Sequence, residues 1–203
     1  MQYVIGIDEA GRGPLAGPVA VGVVLIPKNF RPKTNLTKIS LKDSKKLSEQ
    51  ARKAWFEYIK TNPNIIYAVA MVYPKTIDRI NIARAADLAA TRALKRLISK
   101  IRFSASKTQI YLDAGIRIKA NEAKSYKLKA IVRGDERITT IKLASIAAKV
   151  RRDAYITKKH KKYPKYEFHK HKGYGTKIHL KALKKHGLSP IHRLTFISKY
   201  SSI

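Results

Sequence analysis

Cysteine is absent from this chain, which removes disulfide staples and thiolate zinc sites and favours an intracellular setting. Acidic residues are scarce: 13 Asp plus Glu stand against 44 Lys plus Arg in 203 residues, a formal net charge of +31. That excess goes far beyond what solubility needs and points to a polyanionic partner, most simply a nucleic acid. Long apolar runs are missing too, since none approaches the roughly 18 to 20 residues of a membrane-spanning helix. No basic segment precedes an apolar one at the N-terminus, so no secretion signal is expected. The cations are spread along the chain rather than gathered on one amphipathic helix, which argues against membrane adsorption. What remains is 44% hydrophobic, enough for an ordinary core. The length suits one domain, with residues from about 156 to 203 as a basic helical extension.

Because acids are rare, their positions are informative. The run Tyr3 to Ile7 is β-branched and aromatic, reads as a buried strand, and drives straight into Asp8-Glu9, followed by Gly11-Arg12-Gly13. Neighbouring strand residues face opposite ways, so Asp8 and Glu9 meet one ion only if something redirects Glu9. The glycine turn is expected to do so. An acid pair that merely ends a strand is the plainer alternative.

A second strand is expected over Gly17 to Ile26, a helix capped by Ser48, a third strand over Ile65 to Tyr73, and a helix from Asn81 to Ser99. Gln109 to Asp113 is a fourth strand that again ends on an acid. The apolar run Lys127 to Val132 leads into Arg133-Gly134-Asp135. A helix is expected from Ala144 through Tyr155, with Ser145, Lys149 and Asp153 on one face. Strands interleaved with helices indicate an α/β domain.

The ends of neighbouring strands can converge at one sheet edge. Four carboxylates meeting there, Asp8, Glu9, Asp113 and Asp135, would repel one another unless divalent cations sat between them. All-oxygen ligands favour Mg²⁺ or Mn²⁺. Two such ions about 3.5–4 Å apart would clamp a phosphodiester, which suggests a nuclease. A non-catalytic nucleic-acid-binding protein is the rival that charge alone would support, and a junction resolvase on a similar sheet is a second.

Asp8-Glu9-Ala10-Gly11-Arg12-Gly13 resembles the signature of ribonuclease HII, the type 2 ribonuclease H family. The resemblance continues through Asp43-Ser44-Lys45-Lys46-Leu47-Ser48, Tyr111 to Gly115, Gly134-Asp135 and Ala144 to Asp153. It ends with His171 to Thr176 and Ile191-His192-Arg193. It implies a ribonuclease H-like mixed sheet flanked by helices, with a C-terminal helical region. It also implies endonucleolytic cleavage of RNA in RNA–DNA hybrids and at single ribonucleotides in duplex DNA, leaving 3′-hydroxyl and 5′-phosphate ends. Asp8, Glu9, Asp113 and Asp135 would be the catalytic metal ligands for two Mg²⁺ or Mn²⁺ ions.

By the same resemblance, Gly11, Arg12 and Gly13 would sense the ribose 2′-hydroxyl, and Tyr174 would stack on the adjoining sugar. Lys45, Lys46, Ser145 and Lys149 would contact the substrate strand, while Asp153 is expected to be structural, paired with an arginine. Lys142-Leu143 replaces small residues common in the family and puts local helix packing in question. Ribonuclease HIII carries an extra N-terminal binding domain, whereas this sequence starts at the catalytic strand. The chain is expected to be a cytoplasmic monomer without a membrane partner, with a replication clamp as a conceivable one. The six histidines, all from His160 onward, are expected to be polar or phosphate-facing rather than zinc ligands.

Overall fold

A computed structural model describes residues 2–32, 40–41, 44, 47–100, 108–119 and 124–198. At its centre lies β1 (Tyr3–Ala10), the strand into which the signature acids are built. Its antiparallel neighbour β2 (Val19–Pro27) is buried up to the terminal proline, and β3 (Ile66–Val72) pairs antiparallel with β2. On the other side β4 (Thr108–Asp113) and β5 (Lys127–Ile131) run parallel to β1. The five-stranded order is β3-β2-β1-β4-β5, a mixed sheet.

Helices cover both faces. After α1 (Glu49–Thr61) and the seven-residue α2 (Pro74–Ile80) comes α3 (Ile82–Ile98). Ser48 Oγ accepts from Ala51 N at 3.1 Å to cap α1, and Asn81 Oδ1 accepts from Arg84 N at 3.0 Å to cap α3. The alanines of α3 (85, 86, 89, 90 and 93) are fully buried, giving a thin helix surface against Ile5, Ile7, Val21 and Val23. On the opposite face Trp55, Phe56 and Ile59 of α1 pack with Val24 and Ile26. Truncating a fully buried residue such as Trp55 to Ala would cost about 3–5 kcal/mol.

Following the four-residue helix α4 (Gly134–Arg137), α5 spans Thr139–Lys162, 24 residues. It starts before and ends after the stretch expected from sequence. Thr140 and Ile141 are weak helix formers at its start, and the run Lys158–Lys162 has no apolar stripe to mark its end. The same helix answers the Lys142-Leu143 departure, because Leu143 is fully buried against the α1 face of the sheet. Glycine lets α5 lie close: a Cβ on Gly6 would fall 2.2 Å from the Thr140 backbone, and one on Gly22 2.2 Å from Ala144 O.

The chain then folds back in α6 (Phe168–His171), α7 (Lys177–His186) and α8 (Leu194–Ile197). Phe168, Leu183 and Ile191 join Leu15, Ala16 and Ile156 in a third apolar cluster. Asp78 fastens α8 by accepting from Leu194 N, Thr195 N and Thr195 Oγ1 at 3.0, 3.1 and 2.7 Å. No helix of the described residues is long and apolar enough to cross a membrane.

Candidate active site

The pairing of β1 with β4 ends at Ile7↔Leu112, whereas its pairing with β2 continues to Ala10↔Ala20. Beyond Ile7, therefore, one edge of β1 is open. Asp8 faces α5, where the Ser145 hydroxyl favours its charged form. Glu9 alternates with Ile5 and Ile7 and so belongs to the other face. Its carboxylate nevertheless comes round the open edge: one oxygen each from Asp8, Glu9 and Asp113 lies within 4.8 Å of the others. This corrects the sequence expectation. Glu9 is a regular strand residue, and the departure of β4, not the glycine turn, lets it reach the same point as Asp8.

The cluster is electrostatically unfinished. Asp8 is buried, and desolvation, followed by repulsion from Glu9, holds its carboxyl well above the ordinary value. Glu9 is also raised, again chiefly by burial, with Arg12 pulling the other way. Arg12 Nη1 donates to Glu9 Oε1 at 3.1 Å and to Gly115 O at 3.2 Å. Glu9 Oε2, by contrast, is buried with no hydrogen-bond partner among the described residues. An orphaned carboxylate oxygen among three converging acids fits a hard divalent cation. Asp135 is buried on α4 and lines the same cleft of about 290 Å³, but it stands outside the close trio. The adjoining Gly134 N–H donates to Asp113 Oδ1 at 3.3 Å.

The loop after β1 is held from below by two fully buried arginines, Arg152 and Arg193. Arg193 donates to the carbonyls of Gly11, Arg12 and Gly17 at 2.7, 2.8 and 2.9 Å. Arg152 donates to those of Pro18, Lys172 and Ala16 at 3.0, 3.1 and 3.2 Å. The two glycines of the signature differ in kind. Gly11 has φ +91°, and a Cβ there would lie 2.0 Å from Arg152 Nε, so the fold itself demands glycine. A Cβ on Gly13 would meet nothing within 4 Å. Among the described residues, nothing in the packing requires that glycine.

Comparison with known proteins fits this geometry. A family profile for ribonuclease HII matches residues 5–200. The chain belongs to the ribonuclease HII family. It is thereby a metal-dependent ribonuclease, a phosphodiester hydrolase. Ribonuclease HII of Endomicrobium trichonymphae is 49% identical over 196 residues, covering 95% of this chain and 84% of its own. The crystal structure of ribonuclease H2 from Pyrococcus horikoshii superposes with a TM-score of 0.75 at 29% identity, over 98% of this chain and 97% of that one. A structure of the PCNA:RNase HII complex from Archaeoglobus fulgidus matches with a TM-score of 0.68 at 25% identity, over 96% and 94%.

The remaining residues expected of a ribonuclease HII site are distributed as follows. Ser145 lines the cleft and shares a 2.7 Å hydrogen bond with the buried Ser44 Oγ, a residue to which sequence reading had assigned no role. Lys149 also lines it, with Nζ 2.8 Å from Asp153, so Asp153 pairs first with a lysine; Arg152 Nη1 is farther, at 3.6 Å. Tyr174 is 41% exposed at the cleft wall, its ring 5.7 Å from both Lys149 Nζ and Arg152 Cζ. Lys45 and Lys46 lie outside the described residues.

Three histidines overturn the phosphate-facing expectation. His171, His179 and His192 are buried among the aromatic rings of the C-terminal cluster. Nor was the bracing role of Arg152 and Arg193 legible, since in so cationic a chain two arginines look like surface.

Proposed function

We propose that this ribonuclease is an endonuclease that hydrolyses RNA paired with DNA and cuts duplex DNA at a single embedded ribonucleotide. The scissile bond is the P–O3′ bond on the 5′ side of the ribonucleotide. A water oxygen joins the phosphorus, and the products carry a 3′-hydroxyl and a 5′-phosphate. The observation that carries this reading is the orphaned Glu9 oxygen, poised with Asp8 and Asp113 at an open strand edge. These three acids, with Asp135 as a further ligand, would hold Mg²⁺ or Mn²⁺, two ions during catalysis. Bound there, the cations supply positive charge against the phosphate and lower the pKa of the attacking water.

The chain's own groups select and place the substrate. Arg193 holds the carbonyls of Gly11 and Arg12 and so fixes the loop whose N–H groups would bond a ribose 2′-hydroxyl. The open space at Gly13 admits the sugar edge. Tyr174 stacks on the neighbouring sugar, and Lys149 and Ser145 steady the cut strand. Lys45 and Lys46 neutralise phosphates nearby, and Arg12 keeps Glu9 turned toward the metal ligands.

The net charge of +31 suits the duplex, and the basic residues after about 156 extend the grip as part of one catalytic unit. We place the enzyme in the cytoplasm as a monomer. A replication clamp is a reasonable partner, given the structural likeness to the Archaeoglobus protein in its PCNA complex. The test is cleavage of a duplex with one ribonucleotide beside its all-DNA twin, with and without Mg²⁺ or Mn²⁺. Metal-dependent cutting of the first alone, 5′ to the ribonucleotide, is expected; equal cutting of both, or none, contradicts the reading.

A further inference from the structure

Three buried histidines lie beneath the cleft wall without touching the acids, and their hydrogen bonds run in one direction. Ser189 N–H lies 2.8 Å from His192 Nδ1, closer than the 3.2 Å from Nδ1 to Ser189 O, and this shorter contact makes Nδ1 the acceptor. The proton of neutral His192 therefore sits on Nε2, 2.9 Å from His179 Nε2. His179 Nε2 must then accept, which leaves its Nδ1–H to donate to Tyr174 O at 2.9 Å. The result is a wire of single tautomers from the Ser189 turn to the backbone of Tyr174. His171 stacks on His179 with ring centroids 4.4 Å apart, and is fixed likewise: Gly173 N–H donates to its Nδ1 at 3.2 Å, and its Nε2–H donates to Tyr166 O at 2.8 Å.

The next residue in sequence after His192 is Arg193, whose guanidinium grips Gly11 and Arg12. One short segment, residues 189–193, is thus wired to both walls of the cleft. The tyrosine loop hangs from it through His192 and His179, and the glycine loop through Arg193.

We propose that His179 and His192 are positioning residues for Tyr174, holding its backbone at a set distance from the Gly11-Arg12-Gly13 loop so that a ribonucleotide fits between the two. The inference rests on the reading of Tyr174 as a substrate contact, and it adds that the spacing is set by a neutral histidine pair. The groups around the pair agree. Desolvation lowers both imidazoles to about 4, and the rings packed on them are Phe168, Tyr166 and His171. The charges acting on His171 come from Glu167, His169 and Lys172. A proton on both Nε2 atoms would set two donors face to face.

The test compares His179→Phe, which keeps a ring and removes both bonds, with His179→Asn, whose amide can still donate from the Nδ1 position. Hydrogen exchange of the amides around Tyr174 to Thr176 is read first, without substrate. H179F is expected to lose protection there and H179N to keep it; unchanged protection in H179F overturns the proposal. Cleavage of the single-ribonucleotide duplex is read second, in a double-mutant cycle with Tyr174→Ala. H179F is expected to raise KM about tenfold in the wild-type background and to add little in the Tyr174→Ala background. Multiplying penalties would mean that His179 acts on stability alone, against the proposal.

If H179F does not fold, His192→Phe takes its place in the same cycle. Failure of the wild type to cut the duplex would count against the substrate reading, whereas the exchange result stands apart from it.

Discussion

The acid cluster and the histidine cluster are both buried, and they are opposite in design. Around Asp8, Glu9 and Asp113 like charges converge and one carboxylate oxygen has no partner among the described residues. Around His171, His179 and His192 both nitrogens of every ring are matched to a neighbour. Burial raises the acids Asp8 and Glu9 and lowers the histidines, so in each place the neutral form is favoured. Yet only the histidines are content to be neutral. The acids await a cation, whereas the three imidazoles beneath the cleft wall have all their ring nitrogens matched.

Breaking the acid side should have the largest effect. Asp8→Asn is expected to lower cleavage of the ribonucleotide duplex by about 10³-fold, measured as kcat/KM, while leaving the circular dichroism spectrum unchanged. On the scaffold side, Arg193→Met leaves three buried carbonyls unmatched. A loss of about 3 kcal/mol, or roughly 10 °C in Tm, is expected by thermal denaturation. A stable Arg193→Met variant would show that the loop does not depend on this brace.

Part of this comparison was legible in the sequence. The β-branched runs located the strands, and the acids at the ends of two of them, Asp8-Glu9 and Asp113, are the ones that converge, while Asp135, expected with them, stands outside the close trio. The path of Glu9 was not legible, because it depends on where β4 stops pairing with β1, a property of two strands about 100 residues apart in sequence. The start of α5 was hidden by Thr140 and Ile141, whose local preference is overridden by packing on the sheet. The brace of Arg152 and Arg193 and the burial of three histidines were hidden for a shared reason. Their burial is sustained by a set of carbonyls and ring nitrogens that only the folded chain assembles.

A finer cut separates the two glycines. Gly13→Ala should leave Tm unchanged, since its Cβ enters open space, yet lower cleavage about tenfold by crowding the sugar. Gly11→Ala should destabilise the fold, because it collides with Arg152 at a left-handed backbone. Equal behaviour of the two variants would erase the distinction.

The smallest effect is in the pH dependence of stability, where the clusters act in opposite directions. His179 and His192 bind protons more readily in the unfolded chain, whose value is near 6.5, than in the folded one, near 4. Their contribution is complete above about 6.5 and is lost as pH falls toward 4. Asp8 and Glu9 are raised, so the metal-free fold loses stability as pH climbs from the ordinary carboxylate value through their folded values. Melting curves from pH 4 to 8 should therefore flatten on the acid side in His179→Asn and on the neutral side in Asp8→Asn.

The central claim is that the acid cluster is incomplete without a divalent cation. Its most direct test is the melting temperature of the wild type and of Asp8→Asn, titrated with Mg²⁺ or Mn²⁺ at pH 7 and reversed by chelator. The wild-type Tm should rise with saturation while the variant, more stable than the wild type before metal is added, responds weakly. A wild type indifferent to the ions, or an equal rise in both proteins, would contradict it.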